Sequence, residues 1–166
     1  MCFMPFLATQ SAPKLVPHGE HPPGIALHPL EPDLPVIRER FSLPHVAEIK
    51  LVIGCGCWLR HFEDKPQYAR VEDIVGDPKY DPSNEQPNHD ALADFLQLNF
   101  QQDGHVEFFG CNDGEYDLPA TERLELPVDA MRHREFHFRI GTLYRFTFQK
   151  GDSHDTLKTE CLSRNL

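Results

Sequence analysis

Residues 46–53, VAEIKLVI, show a two-residue hydrophobic repeat that predicts a β-strand. Successive side chains of a strand point to opposite faces, so the repeat assigns each residue to one of two faces. One face mixes apolar and charged side chains, whereas the other is wholly apolar and is expected to pack on the core. The apolar positions are Ala47, Ile49, Leu51 and Ile53.

The clearest helical pattern covers residues 88–102 and is followed at once by a strand pattern. Asn88 is a favourable N-cap residue, and Gly104 is a natural stop because glycine tolerates the left-handed conformation that ends many helices. The strand is expected over His105–Cys111, and the short connection makes the helix and the strand antiparallel neighbours. The helical stripe that would face the core consists of Leu92, Phe95, Leu96 and Phe100.

The C-terminal part of the chain predicts further short elements. Leu124 and Leu126 indicate a short edge strand, and a proline at the start of Pro127–His133 favours one helical turn there. Residues 136–140 and 143–148 each alternate aromatic and polar side chains. These two segments are therefore expected to pair as a β-hairpin across the glycine between them.

The first 45 residues contain nine of the 15 prolines of the chain. Proline lacks the N–H group that helix interiors and central strands require, so this density excludes long helices and central strands from the segment. We expect residues 1–45 to form an extended arm that wraps around the rest of the protein. A short helix between Pro35 and Arg40 is compatible with this arm, because proline favours the first helical position.

These patterns together predict a single α+β domain over residues 1–166. Its core, residues 46–150, would contain an antiparallel sheet of four or five strands with one main helix packed on a face. The proline-rich arm, residues 1–45, would precede this core, and a polar tail, residues 151–166, would follow it. Residues 63–87 contain four prolines and are expected to form a long loop.

Charge and composition narrow the classes of function. A formal net charge of −10 argues against a general binder of nucleic acid or of anionic membranes. No apolar run approaches the ~20 residues of a membrane span, and the N-terminal residues lack the features of a secretory signal. Five cysteines cannot all pair within one chain, which favours a reducing compartment. We therefore expect a cytoplasmic protein.

Cysteines lie at the ends of two predicted strands, in the sequences GCGC and GC. Cys55 and Cys57 would point to the same face of a strand. If this strand neighbours the one that ends at Cys111, the three sulfur atoms would converge. Such thiolates are typical of tetrahedral zinc sites, and His61 or His45 would supply a fourth ligand. The candidate ligands for Zn²⁺ are Cys55, Cys57, Cys111 and His61.

Two other interpretations of these cysteines stay open. Free cysteine is among the most frequently buried residue types, so all three can be small apolar core residues. A thiol-redox role would need an acidic thiol, for which Arg60 or His61 would have to lie close. Because Cys55 and Cys57 are two apart, a disulfide between them would be strained and therefore labile.

The sequence contains no complete catalytic constellation. It lacks a phosphate-binding glycine loop, a Gly-x-Ser-x-Gly motif and a His-Glu-x-x-His motif. We therefore favour a small, soluble, non-catalytic binding or interaction module without catalytic residues or a cofactor. The alternative is a thiolate zinc protein or a thiol-redox protein. A homodimer through the edge of the sheet or through the apolar arm is compatible with either interpretation.

Four short motifs resemble those of a group of small uncharacterised bacterial proteins. They are an N-terminal Met-Cys, a GCGC-x-Φ-R stretch at Gly54–Arg60 (Φ is apolar), an aromatic-Gly-Cys-x-Asp-Gly stretch at Phe109–Gly114, and a Gly-x-Leu-Tyr stretch at Gly141–Tyr144. The resemblance spans most of the chain and implies a bacterial, cytoplasmic protein. It implies no activity.

Overall fold

A computed structural model describes residues 3–15, 24–32, 34–51, 59, 61–62 and 85–148 of the chain. These residues form an α+β arrangement of one six-stranded sheet, one two-stranded sheet and one long helix. Of the predicted loop over residues 63–87, residues 63–84 lie outside this description, and residues 85–87 are helical rather than part of a loop. The predicted tail over residues 151–166 also lies outside the description. None of the helices described is both long and apolar enough to cross a membrane.

The larger sheet consists of β1 (Phe3–Thr9), β2 (Ile25–Pro29), β3 (His45–Leu51), β5 (His105–Asn112), β6 (Glu122–Pro127) and β8 (Thr142–Thr147). Its strand order is β2-β3-β1-β5-β8-β6. All neighbours in it are antiparallel except β6 and β8, which run parallel. The sheet is therefore mixed and larger than the antiparallel sheet of four or five strands that the sequence predicts.

The smaller elements complete the fold. A two-stranded parallel sheet pairs β4 (His61–Phe62) with β7 (Phe138–Arg139). The helices are α1 (Pro35–Arg38), α2 (Glu85–Phe100) and two 3₁₀ turns at Gln101–Asp103 and Val128–Arg132.

Several sequence predictions are confirmed at the level of single elements. On β3, the alternating side chains of Ala47, Ile49 and Leu51 are buried as expected. The strand predicted after the main helix is β5, and Gly104 between them has a φ of +79°, in the left-handed region. Leu124 lies on an edge strand, and the predicted turn after Pro127 is the second 3₁₀ helix.

The predicted start of the main helix is wrong. Helix α2 begins at Glu85, three residues before Asn88, so Asn88 is not its N-cap and is instead buried within the helix. Pro87 falls in the first turn, where the N–H groups have no partner inside the helix, and proline is tolerated there.

The predicted hairpin of residues 136–140 and 143–148 is also wrong. Strand β7 pairs in parallel with β4 rather than with β8. The N–H of Arg139 donates to the hydroxyl of Tyr144 at 2.8 Å, so a side chain takes the place of a strand-to-strand hydrogen bond. Alternation of apolar residues identified the buried faces but not the pairing partner, because pairing is decided by distant residues.

The prediction that proline excludes central strands from the arm fails at β1. This strand lies between β3 and β5 in the middle of the sheet although it contains Pro5. Pro5 is opposite Gly110 of β5, whereas the pairing with β3 starts only at Phe6. Proline has no N–H group to donate, but at Pro5 the hydrogen-bonded pairing with β3 has not yet begun. Pro5 therefore costs the sheet no hydrogen bond to β3.

Each face of the sheet carries its own hydrophobic cluster. Helix α2 covers the first, the α2 face, which holds Phe108 and Phe146 among many buried residues. Helix α1 contributes Ile37 to the second, the α1 face. The buried sheet residues of this hydrophobic cluster are Phe6, Phe109, Cys111 and Leu143.

Candidate functional site

Of the predicted zinc ligands, the structure gives a side-chain position only for Cys111. It lies on β5 with 2 % of its surface exposed, in the cluster on the α1 face. Cys55 and Cys57 lie outside the described residues, and only the backbone of His61 is described, in β4. The three-cysteine zinc site therefore stays a prediction.

The condition stated for convergence, that the two strands be neighbours, is not met by β3 and β5. Strand β1 stands between β3 and β5, so these two strands are two spacings apart, about 10 Å. Among the side chains that the structure describes, no three His, Cys, Asp or Glu residues lie close enough together to hold a metal ion.

The thiol of Cys111 is held in its neutral form. Burial raises its pKa to about 12, and nearby Glu115 and Asp113 act in the same direction, while Arg40 opposes them. A thiol that is buried and protonated at neutral pH is a poor nucleophile. For this cysteine, the surroundings agree with the interpretation as a small buried apolar residue.

Arg40 holds the turn after β5 against the α1 face. Its guanidinium lies 4.5 Å from the centre of the Phe109 ring and donates to the backbone carbonyl of Tyr116. The hydroxyl of Tyr116 in turn donates to Asp113. Burial lowers the pKa of Arg40, and the negative charge of Asp117 opposes that change. This arrangement joins α1, β5 and the acidic turn that follows it.

Glu107 is the most buried carboxylate on the α1 face, with 2 % of its surface exposed. It accepts hydrogen bonds from the backbone N–H of Ser42 at 2.7 Å and from the Ser42 hydroxyl at 2.5 Å. The N–H of Leu43 donates to it at 3.4 Å. The carboxylate thus ties the segment after α1 to the middle of the sheet.

A row of alternating charge crosses three strands next to Glu107. Arg145 of β8 lies opposite Glu107 of β5 and Glu125 of β6. Its guanidinium nitrogens are 3.8 Å from each carboxylate, too far for hydrogen bonds. The guanidinium therefore sits between two negative charges while its N–H donors stay available.

These charges line a groove of about 340 Å³ over β5, β8 and β6. Arg123 forms no hydrogen bond or ion pair with any residue that the structure describes, and it is exposed. Two guanidinium groups with available donors thus lie beside two carboxylates and two leucines. The lining residues are Glu107, Arg123, Leu124, Glu125, Leu143 and Arg145.

The groove reaches the edge of the sheet. Strand β6 is the last strand in the order, and within the described residues no other strand pairs with its outer side. Its side chains alternate between half-buried and exposed from Glu122 to Pro127. An edge strand presents unpaired N–H and C=O groups to any chain that can pair with it.

Three comparisons with known proteins found no match for the chain. No family model matches it, and neither a curated protein nor a solved structure matches it significantly. The resemblance carried by the GCGC and aromatic-Gly-Cys motifs therefore stays a prediction.

Sequence reasoning missed the residues of this groove. Glu107, Arg123, Glu125 and Arg145 belong to none of the motifs considered above, and they come from three separate strands. The available signal was the placement of Arg145 on the polar face of its strand. The position of Arg145 indicates a charged row only when β5, β8 and β6 are known to be adjacent.

Proposed function

We propose that the protein is a non-catalytic interaction module that binds an extended polypeptide segment of mixed charge along β6 and the adjoining groove. The observation that carries the proposal is the pair of guanidinium groups, Arg123 and Arg145, whose N–H donors are not used in hydrogen bonds within the described structure. Arginine presents its donors in a planar fork that suits carboxylates.

The charge balance of the groove favours a ligand with both signs of charge. Two arginines and two glutamates line it, so their formal charges cancel. A wholly acidic segment would meet Glu125, and a wholly basic segment would meet Arg123. Leu124 and Leu143 add an apolar component to the same lining. Extended segments commonly bind at sheet edges, where backbone hydrogen bonds give affinity and side chains give specificity.

The reactive groups on the α1 face support a binding role rather than a catalytic one. The Glu107 carboxylate accepts hydrogen bonds from three donors of Ser42 and Leu43. The thiol of Cys111 is buried and protonated, because burial raises its pKa to about 12. Both groups are engaged in holding the fold.

A titration followed by ¹⁵N–¹H correlation spectra tests this proposal. Three short synthetic peptides alternate valine with charged residues: lysine and glutamate in turn, glutamate only, or lysine only. We expect the mixed-charge peptide to shift the amide signals of residues 122–126 and 143–145 in a saturable manner. Arg145→Gln should weaken this binding, because it removes the central positive charge of the row.

Arg134→Glu serves as the matched control, since Arg134 is exposed and lies outside the groove. This variant should bind the mixed-charge peptide as the natural chain does. The proposal fails if the three peptides give equal shifts, or if the shifts map away from β6 and β8.

A further inference from the structure

We infer that the polypeptide bound along β6 is the same strand of a second copy of this chain, in an antiparallel pairing centred on Leu124. The inference rests on the proposed function, because it names the partner of the same surface. Pairing of this kind would join two six-stranded sheets into one continuous sheet across a two-fold axis.

The sequence of β6 is complementary to itself in this register. With Leu124 opposite Leu124 of the second copy, Arg123 lies opposite Glu125 of that copy, and Glu125 lies opposite its Arg123. Directly opposed side chains in an antiparallel pair are close enough to interact, and opposite charges stabilise the pair. The two-fold axis therefore generates two equivalent ion pairs on the α1 face.

Neighbouring registers are disfavoured. A two-fold axis normal to the sheet keeps each face continuous, so a residue can lie opposite only a residue of its own face. Centring the pair on Arg123 would bring two arginines together, and centring it on Glu125 would bring two glutamates together. Like charges directly opposite each other destabilise a sheet. The charges of β6 thus select the register centred on Leu124.

The length and ends of β6 fit the same register. The pairing uses residues 122–126, which lie within the strand Glu122–Pro127. Pro127, which has no N–H to donate, falls outside the paired stretch. On the α2 face, Leu124 and Leu126 are half-buried, and a second copy would cover more of their surface.

Light scattering and sedimentation of the full chain test the inference with two charge variants. Arg123→Glu makes the charged residues of β6 on the α1 face wholly acidic, and Glu125→Arg makes them wholly basic. We expect each variant to weaken self-association about tenfold or more, because two attractive pairs become repulsive. Mixing the two variants should restore dimers, since each acidic position then faces a basic one.

Arg134→Glu changes the net charge as Arg123→Glu does, at an exposed site outside the paired strand, and should leave the dimer intact. Circular dichroism checks that each variant is folded, and Glu125→Lys replaces Glu125→Arg if that variant unfolds. Restoration of dimers only in the mixture would support the inference. It is overturned if the natural chain is a monomer, or if Arg123→Glu alone still dimerises. A monomer that still binds the mixed-charge peptide would reject the second copy as the partner while retaining the proposed function.

Discussion

The ring of Phe3 occupies the space beside Gly110 that a side chain would need. A β-carbon added to Gly110 would lie 2.2 Å from Cε2 and 2.3 Å from Cζ of Phe3. Both residues lie near the middle of the sheet, on the adjacent strands β1 and β5. The glycine before Cys111 therefore serves the packing of an aromatic ring from the N-terminal strand.

Gly110→Ala should destabilise the fold by about 1–3 kcal/mol or more, because the added methyl group forces the Phe3 ring or the strand to move. The free energy of unfolding in urea measures this change. In a Phe3→Ala background the same substitution should cost much less, because the obstructing ring is absent. Equal costs in the two backgrounds would contradict the packing explanation.

Gly114→Ala provides a comparison without a clash. Gly114 has a φ of +84°, but a β-carbon there would meet nothing within 4 Å. The Gly114→Ala substitution should lower the free energy of unfolding by about 1–2 kcal/mol, because alanine is disfavoured in the left-handed backbone conformation. This loss should be the same with and without the Phe3 ring.

The elements that the sequence predicts correctly are those encoded by local patterns. The repeat of apolar residues correctly predicts strand β5 and the apolar side of helix α2 that packs on the core. Gly104 correctly predicts where the helical segment ends. The errors concern partners that are distant in the chain. Strand β7 resembles one arm of a hairpin but pairs with β4, and β1 enters the centre of the sheet despite Pro5.

The candidate site could not be predicted for the same reason. Glu107 and Ser42 are 65 positions apart, and only the folded sheet brings them together. Arg145 meets Glu125 because β6 runs parallel to β8, an arrangement that the short alternating patterns do not encode. By contrast, Cys111 was singled out from the sequence, and its surroundings show a buried, protonated thiol.

Glu107→Gln should cost at least about 2 kcal/mol of stability, because the amide would place a donor against the donors of Ser42. Ser42→Ala should cost less, about 1 kcal/mol, since the backbone N–H of Ser42 can still donate to the carboxylate. Urea unfolding measures both values.

Glu125→Gln is the control for this pair of variants. The Glu125 side chain is 64 % exposed, and its only ion pair with a residue that the structure describes spans 3.8 Å. Its removal should change the stability of the monomer by less than about 0.5 kcal/mol. A similar cost for Glu125→Gln and Glu107→Gln would contradict the anchoring role of Glu107.

Tyr144→Phe should show how much the hydrogen bond from the backbone N–H of Arg139 to the Tyr144 hydroxyl contributes to stability. Without the hydroxyl, the backbone N–H of Arg139 loses its acceptor, at a cost of about 1 kcal/mol. Amide hydrogen exchange at Arg139 should accelerate while exchange on β5 stays slow. Tyr116→Phe removes an exposed hydrogen bond to Asp113 and should leave the exchange at Arg139 unchanged.

The buried thiol of Cys111 should make stability depend on pH in the alkaline range. In the unfolded chain a cysteine ionises near pH 8.5, whereas burial raises the pKa of Cys111 in the folded protein to about 12. Between these values the folded state binds the proton and the unfolded state releases it. The contribution of the Cys111 thiol to the free energy of unfolding is therefore fully present below about pH 8.5. It is lost as the pH rises toward 12.

Cys111→Ala removes this dependence, so the variant and the natural chain should respond differently to alkali. Urea unfolding under reducing conditions should show that the stability advantage of the natural chain shrinks by about 1–2 kcal/mol between pH 7 and about pH 10. The other four cysteines are common to both proteins and cancel in this comparison. A difference that stays constant over this range would mean that the Cys111 thiol ionises as readily in the folded protein as in the unfolded chain. It would then be available as a thiolate, which is the form that the predicted zinc site requires.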